Sequence, residues 1–207
     1  MNKKELSEVF NKNQHAYSNL LEKTLANAVS EKWGMGILPP LSFLPCQIEL
    51  GGGKPGRILK NVSTPAKHRF KYLFDKQGRV ILARSYLQKI SGDAWMYGDE
   101  IFTYNDDKAL QFIFSGLADD CTEAFLDVVV YASQTDGKIQ KSCGIEDNGE
   151  YSENDYHYVD GKLSSINYRS WSSCYEDGEL KIVYDGDSFS IFDKSHGNVN
   201  QIFPACS

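Results

Sequence analysis

Residues 156–163 read Tyr-His-Tyr-Val-Asp-Gly-Lys-Leu. Tyr156 and Tyr158 alternate with His157 and Val159, the period-2 pattern of a half-buried strand, and Asp160-Gly161 follows. Asp-Gly is the residue pair for a tight primed hairpin turn, because both central positions tolerate positive φ. Leu163 to Trp171 then resumes a strand-like run. One hairpin is therefore written in full, and the rest of the chain from Arg69 onward repeats its grammar.

Further strand-like runs occur at 70–74, 79–87, 100–104, 110–114, 125–132, 179–184 and 188–192. Turn residues separate them: Asp75-Lys76-Gln77-Gly78, Asn105-Asp106-Asp107-Lys108, Thr135-Asp136-Gly137-Lys138, Glu176-Asp177-Gly178 and Asp185-Gly186-Asp187. Leu117 to Phe125 has helical spacing, while Val128-Val129-Val130-Tyr131 is strongly strand-prone, so a helical turn feeding a strand is expected there.

Upstream the period changes. Leu6, Val9, Phe10, Tyr17, Leu20, Leu21, Leu25, Ala28 and Val29 recur mostly three or four apart. This predicts a short helix and then a longer one from about His15 to Trp33, closed by Gly34 and Gly36. Residues 34–67 form a Pro/Gly-rich connector with a strand at Gln47–Leu50. The expected fold is one α+β domain over 1–207: a helical segment (1–33), the connector (34–67), and an antiparallel β-meander (68–207). The helices pack on a large, curved, mainly antiparallel sheet of roughly ten strands.

Charge divides the chain more sharply than composition does. Residues 1–90 hold 15 Lys/Arg and 6 Asp/Glu (net +9), and residues 91–207 hold 7 and 22 (net −15). Such asymmetry concerns fields and partners. Ten basic residues between Lys54 and Lys89 face one acid, Asp75, which locally resembles a nucleic-acid footprint. The −15 of the remainder opposes a polyanion, so nucleic acid is not the expected partner.

No Cys-x-x-Cys, His-x-x-x-His or Gly-x-Ser-x-Gly occurs, and EF-hand spacing is missing from the acidic stretch. Gly51-Gly52-Gly53-Lys54-Pro55-Gly56-Arg57 lacks the Ser/Thr of a P-loop, and Pro55 removes a donor. No metal or cofactor is expected. Five cysteines at wide spacing read as reduced thiols. With no signal-peptide pattern and no long apolar run, the expected setting is the cytoplasm, away from membrane.

The turns share a loose pattern of an aromatic residue or Val, an acid, often Gly, a base and an aliphatic residue. It appears in Phe74-Asp75-Lys76-Gln77-Gly78-Arg79-Val80 and again in Tyr158-Val159-Asp160-Gly161-Lys162-Leu163. This resembles the tyrosine-aspartate (YD) repeat strands of Rhs-type proteins and the β-rich immunity proteins of bacterial toxin systems. The resemblance implies a non-catalytic protein that neutralises a cognate toxin, a nuclease domain being one candidate. Glu146, Asp147, Glu150, Glu153, Asp155 and Asp160 lie in a stretch with no Lys or Arg, and tyrosines interleave with them. The expected partner surface is Glu146, Asp147, Glu150, Glu153, Asp155, Tyr156 and Tyr158, since aromatic anchors inside a charged rim are what interface hot spots use. Two alternatives stand beside it: an enzyme with a spatially assembled site around His157, and an assembly module using hairpin edges.

Overall fold

A computed structural model describes residues 1–118, 124–172, 174–195 and 197–204. Helices α1 (Lys3–Asn13) and α2 (Tyr17–Asn27) precede strand β1 (Ser30–Met35), the single-turn helix α3 (Gln47–Leu50) and β2 (Arg57–Ile58). Eleven strands follow: β3 (Arg69–Phe74), β4 (Val80–Ser91), β5 (Ala94–Asn105), β6 (Lys108–Ala118), β7 (Phe125–Thr135), β8 (Lys138–Glu146), β9 (Tyr151–Val159), β10 (Lys162–Trp171), β11 (Tyr175–Asp185), β12 (Ser188–Ser195) and β13 (Asn198–Phe203). All 13 join one antiparallel sheet. From β3 to β13 each strand pairs with its sequence neighbour, while β1 lies beside β3 and β2 forms the outer edge.

The expected meander is present, and Asp-Gly sets two of its turns: Asp136, Gly137, Asp160 and Gly161 all have positive φ. Four local expectations are corrected. Glu176-Asp177-Gly178, expected as a turn, runs inside β11 in register with Ser170, Arg169 and Tyr168, and Gly178 serves there to admit the Tyr168 ring, which a Cβ would overlap. The second helix ends at Asn27 rather than Trp33, because Ser30–Met35 pairs with β3 in continuous register from Ser30↔Phe74 to Met35↔Arg69. A sheet edge here overrides the helical spacing of Ala28 and Val29. Gln47–Leu50 is a helical turn: it lies across the sheet, so its backbone closes on itself through Leu50 N–H to Cys46 O at 2.8 Å and Gly52 N–H to Glu49 O at 2.8 Å. Leu117 and Ala118 extend β6, and the remainder of the expected helical turn, 119–123, lies outside the described residues.

The sheet has two unlike faces. On one, α1 and α2 cover β5 to β8, with Leu6 and Phe10 of α1 in a core of Leu73, Leu82, Ile101, Phe112, Phe114, Val129 and Tyr131. Asn2 caps α1 by accepting from Glu5 N–H while Glu5 reaches back to Asn2 N–H, so two orphan amides are satisfied. On the other face lies the strap between β1 and β2. Phe43 packs on Phe102 of β5 with ring centroids 5.3 Å apart, and Leu50 packs in a cluster containing Phe203 of β13.

That pair of contacts sets the curvature. Phe43 to Leu50, with one helical turn between them, spans roughly 20 Å. In a flat sheet β5 and β13, eight strands apart, would lie about 38 Å from one another. The sheet therefore curls around the strap, which occupies its concave face. Gly34 of β1 permits the strap to fold back, because a Cβ there would overlap the Pro40 ring.

A repeated contact explains the aromatic-acid-base turn pattern. Arg79, Lys138 and Lys162 each stand at the start of an even-numbered strand, over the ring of Tyr104, Tyr158 and Tyr184 respectively, at 4.4, 5.4 and 5.0 Å. Each tyrosine is the penultimate residue of the following odd-numbered strand. Tyr104 and Tyr158 also donate their hydroxyls to Val80 O and Ile139 O, one residue past the cation, at 2.8 and 2.9 Å. The pattern is thus a clamp between neighbouring strands at one rim of the sheet. In β7 the penultimate position is Gln134, so the strand that follows Lys108 carries no ring at the clamp position.

The first turn carries its own lock. The Asp75 carboxylate accepts from Gln77 N–H, Arg79 N–H and Arg79 Nε. Burial alone would raise this carboxyl, but the Arg79 bonds and charge outweigh it and hold it below the ordinary carboxylate range. A depressed acid contributes stability above its unfolded pKa of roughly 3.9, lost as pH falls through the folded value. Urea titrations from about pH 6 downward are expected to show a steeper acid limb for wild type than for Asp75→Asn.

Candidate functional site

The seven expected site residues all lie on or beside the β8–β9 hairpin, which the alternation of side chains divides between two faces. Glu146, Asp147 and Glu150 gather at the hairpin turn, where Glu146 N–H donates to Glu150 O at 3.0 Å. Glu153 and Asp155 point to the convex face. There Arg169 Nη2 bridges them at 2.9 and 3.1 Å, and Lys141 lies 3.6 Å from Glu153. Burial would raise the Glu153 carboxyl, but Tyr151, Lys141 and Arg169 together hold it low. Tyr156 and Tyr158 point to the concave face, where Tyr156 meets buried Ser142 with the two hydroxyl oxygens 3.1 Å apart. Burial of Tyr156 pushes its phenol up to about 12.

Beside the acidic turn runs an aromatic row absent from the expected set. Tyr151, Trp171 and Tyr175 occupy directly paired positions on β9, β10 and β11, with successive centroids 5.4 Å apart. Tyr151 is buried and Tyr175 is 53% exposed, so the row runs from core to solvent. On the other face of the same strands a shallow cavity of about 150 Å³ is lined by Val130, Gly144, Glu146, Glu150, Ser152 and Ser170, and exposed Glu176 pairs with Ser170. The sequence offered no signal for this row: a bulge between Leu163 and Ser165 shifts the count so that Tyr151 meets Trp171 rather than Ser170, and Tyr175 joins them because the expected turn at Glu176-Asp177-Gly178 is part of β11.

His157 lies on the face opposite the two tyrosines, exposed, with its Nε2 3.0 Å from Asn167 Nδ2. The basic segment 54–89 divides in two. Lys71, Arg79 and Arg84 are paired to Glu31, Asp75 and Asp99, Arg69 is half-buried, and Lys54, Arg57, Lys60, Lys67, Lys76 and Lys89 are exposed. Among the described residues no group of three or more metal-ligating side chains is assembled, and Cys46, Cys143 and Cys174 are free thiols. His196, Cys121 and Cys206 lie outside the described residues.

Two polar centres sit back to back on β5, one at buried Asp99 and one at half-buried Glu100. On the helix face Arg84 grips Asp99 with two bonds of 2.8 and 2.7 Å, and Tyr17 of α2 donates to the same carboxylate at 2.8 Å. On the concave face Gln111 Nε2 donates to Glu100 Oε2 at 2.6 Å, and Gln111 Oε1 is buried without a partner among the described residues. Glu100 lines two adjoining cavities of about 290 and 210 Å³ beneath the strap, both also bounded by Leu41 and Ser42. Burial pushes its carboxyl up to about 6 against the lowering bond from Gln111. An acid raised on folding binds its proton more tightly in the native state, so stability falls as pH rises from the unfolded pKa of about 4.3 through the folded value. Glu100→Gln is expected to flatten that fall in urea titrations between about pH 4 and 7. The available sequence signal was a lone acid in register with Phe102 and Tyr104.

No family model matches the chain, and no curated protein does. Among solved structures, a porin-like protein from Bacteroides uniformis ATCC 8492 is similar, with 15% identity and a TM-score of 0.45 over 64% of this chain. The match spans 51% of that protein, about half its length. No helix among the described residues is long and apolar enough to cross a membrane.

Proposed function

We propose that the protein is a non-catalytic binding protein of the immunity type, which engages a basic toxin domain in the cytoplasm through the β8–β9 end of its sheet. The observation that carries this reading is the aromatic row Tyr151–Trp171–Tyr175, which runs out to exposed Tyr175 at the end of the sheet that also carries the acidic turn of Glu146, Asp147 and Glu150, with Glu176 on the other face of the same strands. Stiff aromatic rings supply contact area at little conformational cost, and an acidic rim steers a basic partner and desolvates around the rings. Glu153 and Asp155 are neutralised within the sheet by Arg169 and Lys141, so their role is to brace the convex face rather than to attract. Tyr156 and Tyr158 contribute by holding the hairpin to β8.

The test is association kinetics with the cognate toxin domain at low ionic strength. Reversing Glu146, Asp147 and Glu150 to lysine is expected to slow association by about ten-fold or more, with the difference shrinking as salt is raised. Reversing Asp185 and Asp187, at the opposite rim, is expected to change it by less than about two-fold. Equal effects from the two variants would show that net charge, not this rim, governs capture.

A further inference from the structure

We infer that the concave cavity around Glu100 is a binding site for a small organic ammonium ion. This inference is independent of the partner reading, because the cavity lies inside the curl of the sheet and not at the β8–β9 end.

The chemistry of the walls selects the charge. Phe43 from the strap and Tyr72, Phe102 and Tyr104 from β3 and β5 place four aromatic rings around the space, with Val80, Ala83 and Ile139 completing its apolar lining. Aromatic faces attract cations most strongly when water is excluded. Glu100 supplies the anion. Its side-chain bond is to Gln111, a neutral amide, which fixes the carboxyl and leaves its charge uncompensated.

The nearby guanidinium groups are already committed. Arg79, at the mouth, is held 2.7 Å from Asp75 and lies over Tyr104. Arg84 is bound to Asp99 on the other face of the sheet. Glu100 is half-buried, and a carboxylate withdrawn from water gains from a paired charge and is costly when alone. An ammonium ligand would provide that pair, and aromatic walls would solvate its remaining surface.

Size and access agree. The 290 Å³ volume lies just below the range for drug-sized ligands, roughly 300–1,000 Å³, and suits a smaller ion. Its mouth is formed by Arg79, Gln134 and Gly137, all at the turn end of the sheet. Gln134 occupies the position that a clamping tyrosine holds on β5, β9 and β11. The one odd-numbered strand among these without the tyrosine is thus the strand at the mouth.

The groups that face the site set its pH dependence. They are Glu100, Tyr72, Tyr104 and Arg79 within the cavity, with Asp99 acting through the sheet. Burial that holds the Glu100 carboxyl at about 6 makes protons compete with the ligand there. Apparent affinity for an amine that stays charged should therefore rise by about ten-fold from pH 5 to pH 7 and then level off.

Calorimetric titration of the full chain with n-butylammonium and with tetramethylammonium tests the site, with n-butanol and butyrate as neutral and anionic controls. At about pH 8 at least one of the two cations is expected to bind saturably and roughly ten-fold or more tightly than n-butanol. Glu100→Gln, which retains an amide-to-amide bond with Gln111, is expected to weaken that cation by about ten-fold or more, and Ala83→Leu to abolish binding by filling the cavity. Failure of both cations to bind at tens of millimolar would overturn the assignment. So would equal binding of n-butanol, or undiminished cation binding by folded Glu100→Gln.

Discussion

Replacing Asp99 with alanine is expected to destabilise the fold by about 3–5 kcal/mol, the cost of leaving a buried charged partner unpaired. Asp99 is fully buried, and its carboxylate accepts both Arg84 bonds and the Tyr17 hydroxyl. Removing it strands a guanidinium that is itself mostly buried against the Tyr97 ring, 3.8 Å from the ring centroid. It also removes the acceptor that ties α2 to β5. Tyr17→Phe removes only the last of these bonds and should cost about 1–2 kcal/mol. Urea unfolding of the two single variants and the double variant measures the coupling. An Asp99→Ala cost below about 1 kcal/mol would mean that Arg84 finds water once its partner is gone.

Phe114→Ala is expected to be similarly severe, about 3–5 kcal/mol. Its ring has no exposed surface and meets the Tyr17 ring edge-on at 5.1 Å, so it supports α2 from below while Asp99 holds it from the side. Loss of the ring opens a cavity between sheet and helix that neighbouring strands cannot close without breaking their ladder. Because Phe114 and Asp99 are paired residues on β6 and β5, their effects should be non-additive, with the double variant less damaged than the sum. Thermal unfolding with calorimetric enthalpies would detect the coupling.

These sites show where sequence reading succeeds and where it stops. The hairpins were legible because Asp136-Gly137 and Asp160-Gly161 carry their turn geometry locally. β1 was hidden because its partner, β3, lies far along the chain, and only that pairing makes Ser30–Met35 extended. β13 was hidden by its own composition: Asn198-Val199-Asn200-Gln201 has little to bury and is a strand because β12 offers it a ladder.

The candidate surface was half legible. Parity alone sends Glu153 and Asp155 to one face and Tyr156 and Tyr158 to the other, so the spacing of residues along the chain is enough to separate the acidic stretch. Their neutralisation was not legible, because Arg169 and Lys141 arrive from the two flanking strands. Glu100 and Gln111 share no motif, and they meet as diagonal neighbours across the β5–β6 hairpin, where Phe102 is the residue opposite Gln111.

The order of the strands also bears on how the molecule assembles and how its lineage can vary. From β3 to β13 every neighbour in space is a neighbour in sequence, so each new hairpin has a finished edge to zip onto and closes only a short loop. The α3 contact with β13 is different, since it joins an early part of the chain to a late one and can form only after the row is complete. Adding or deleting one hairpin would leave the remaining pairings intact and shift the point at which the strap meets the far edge. The sheet is thus extensible in two-strand steps, with the strap as the gauge that fixes how many are used.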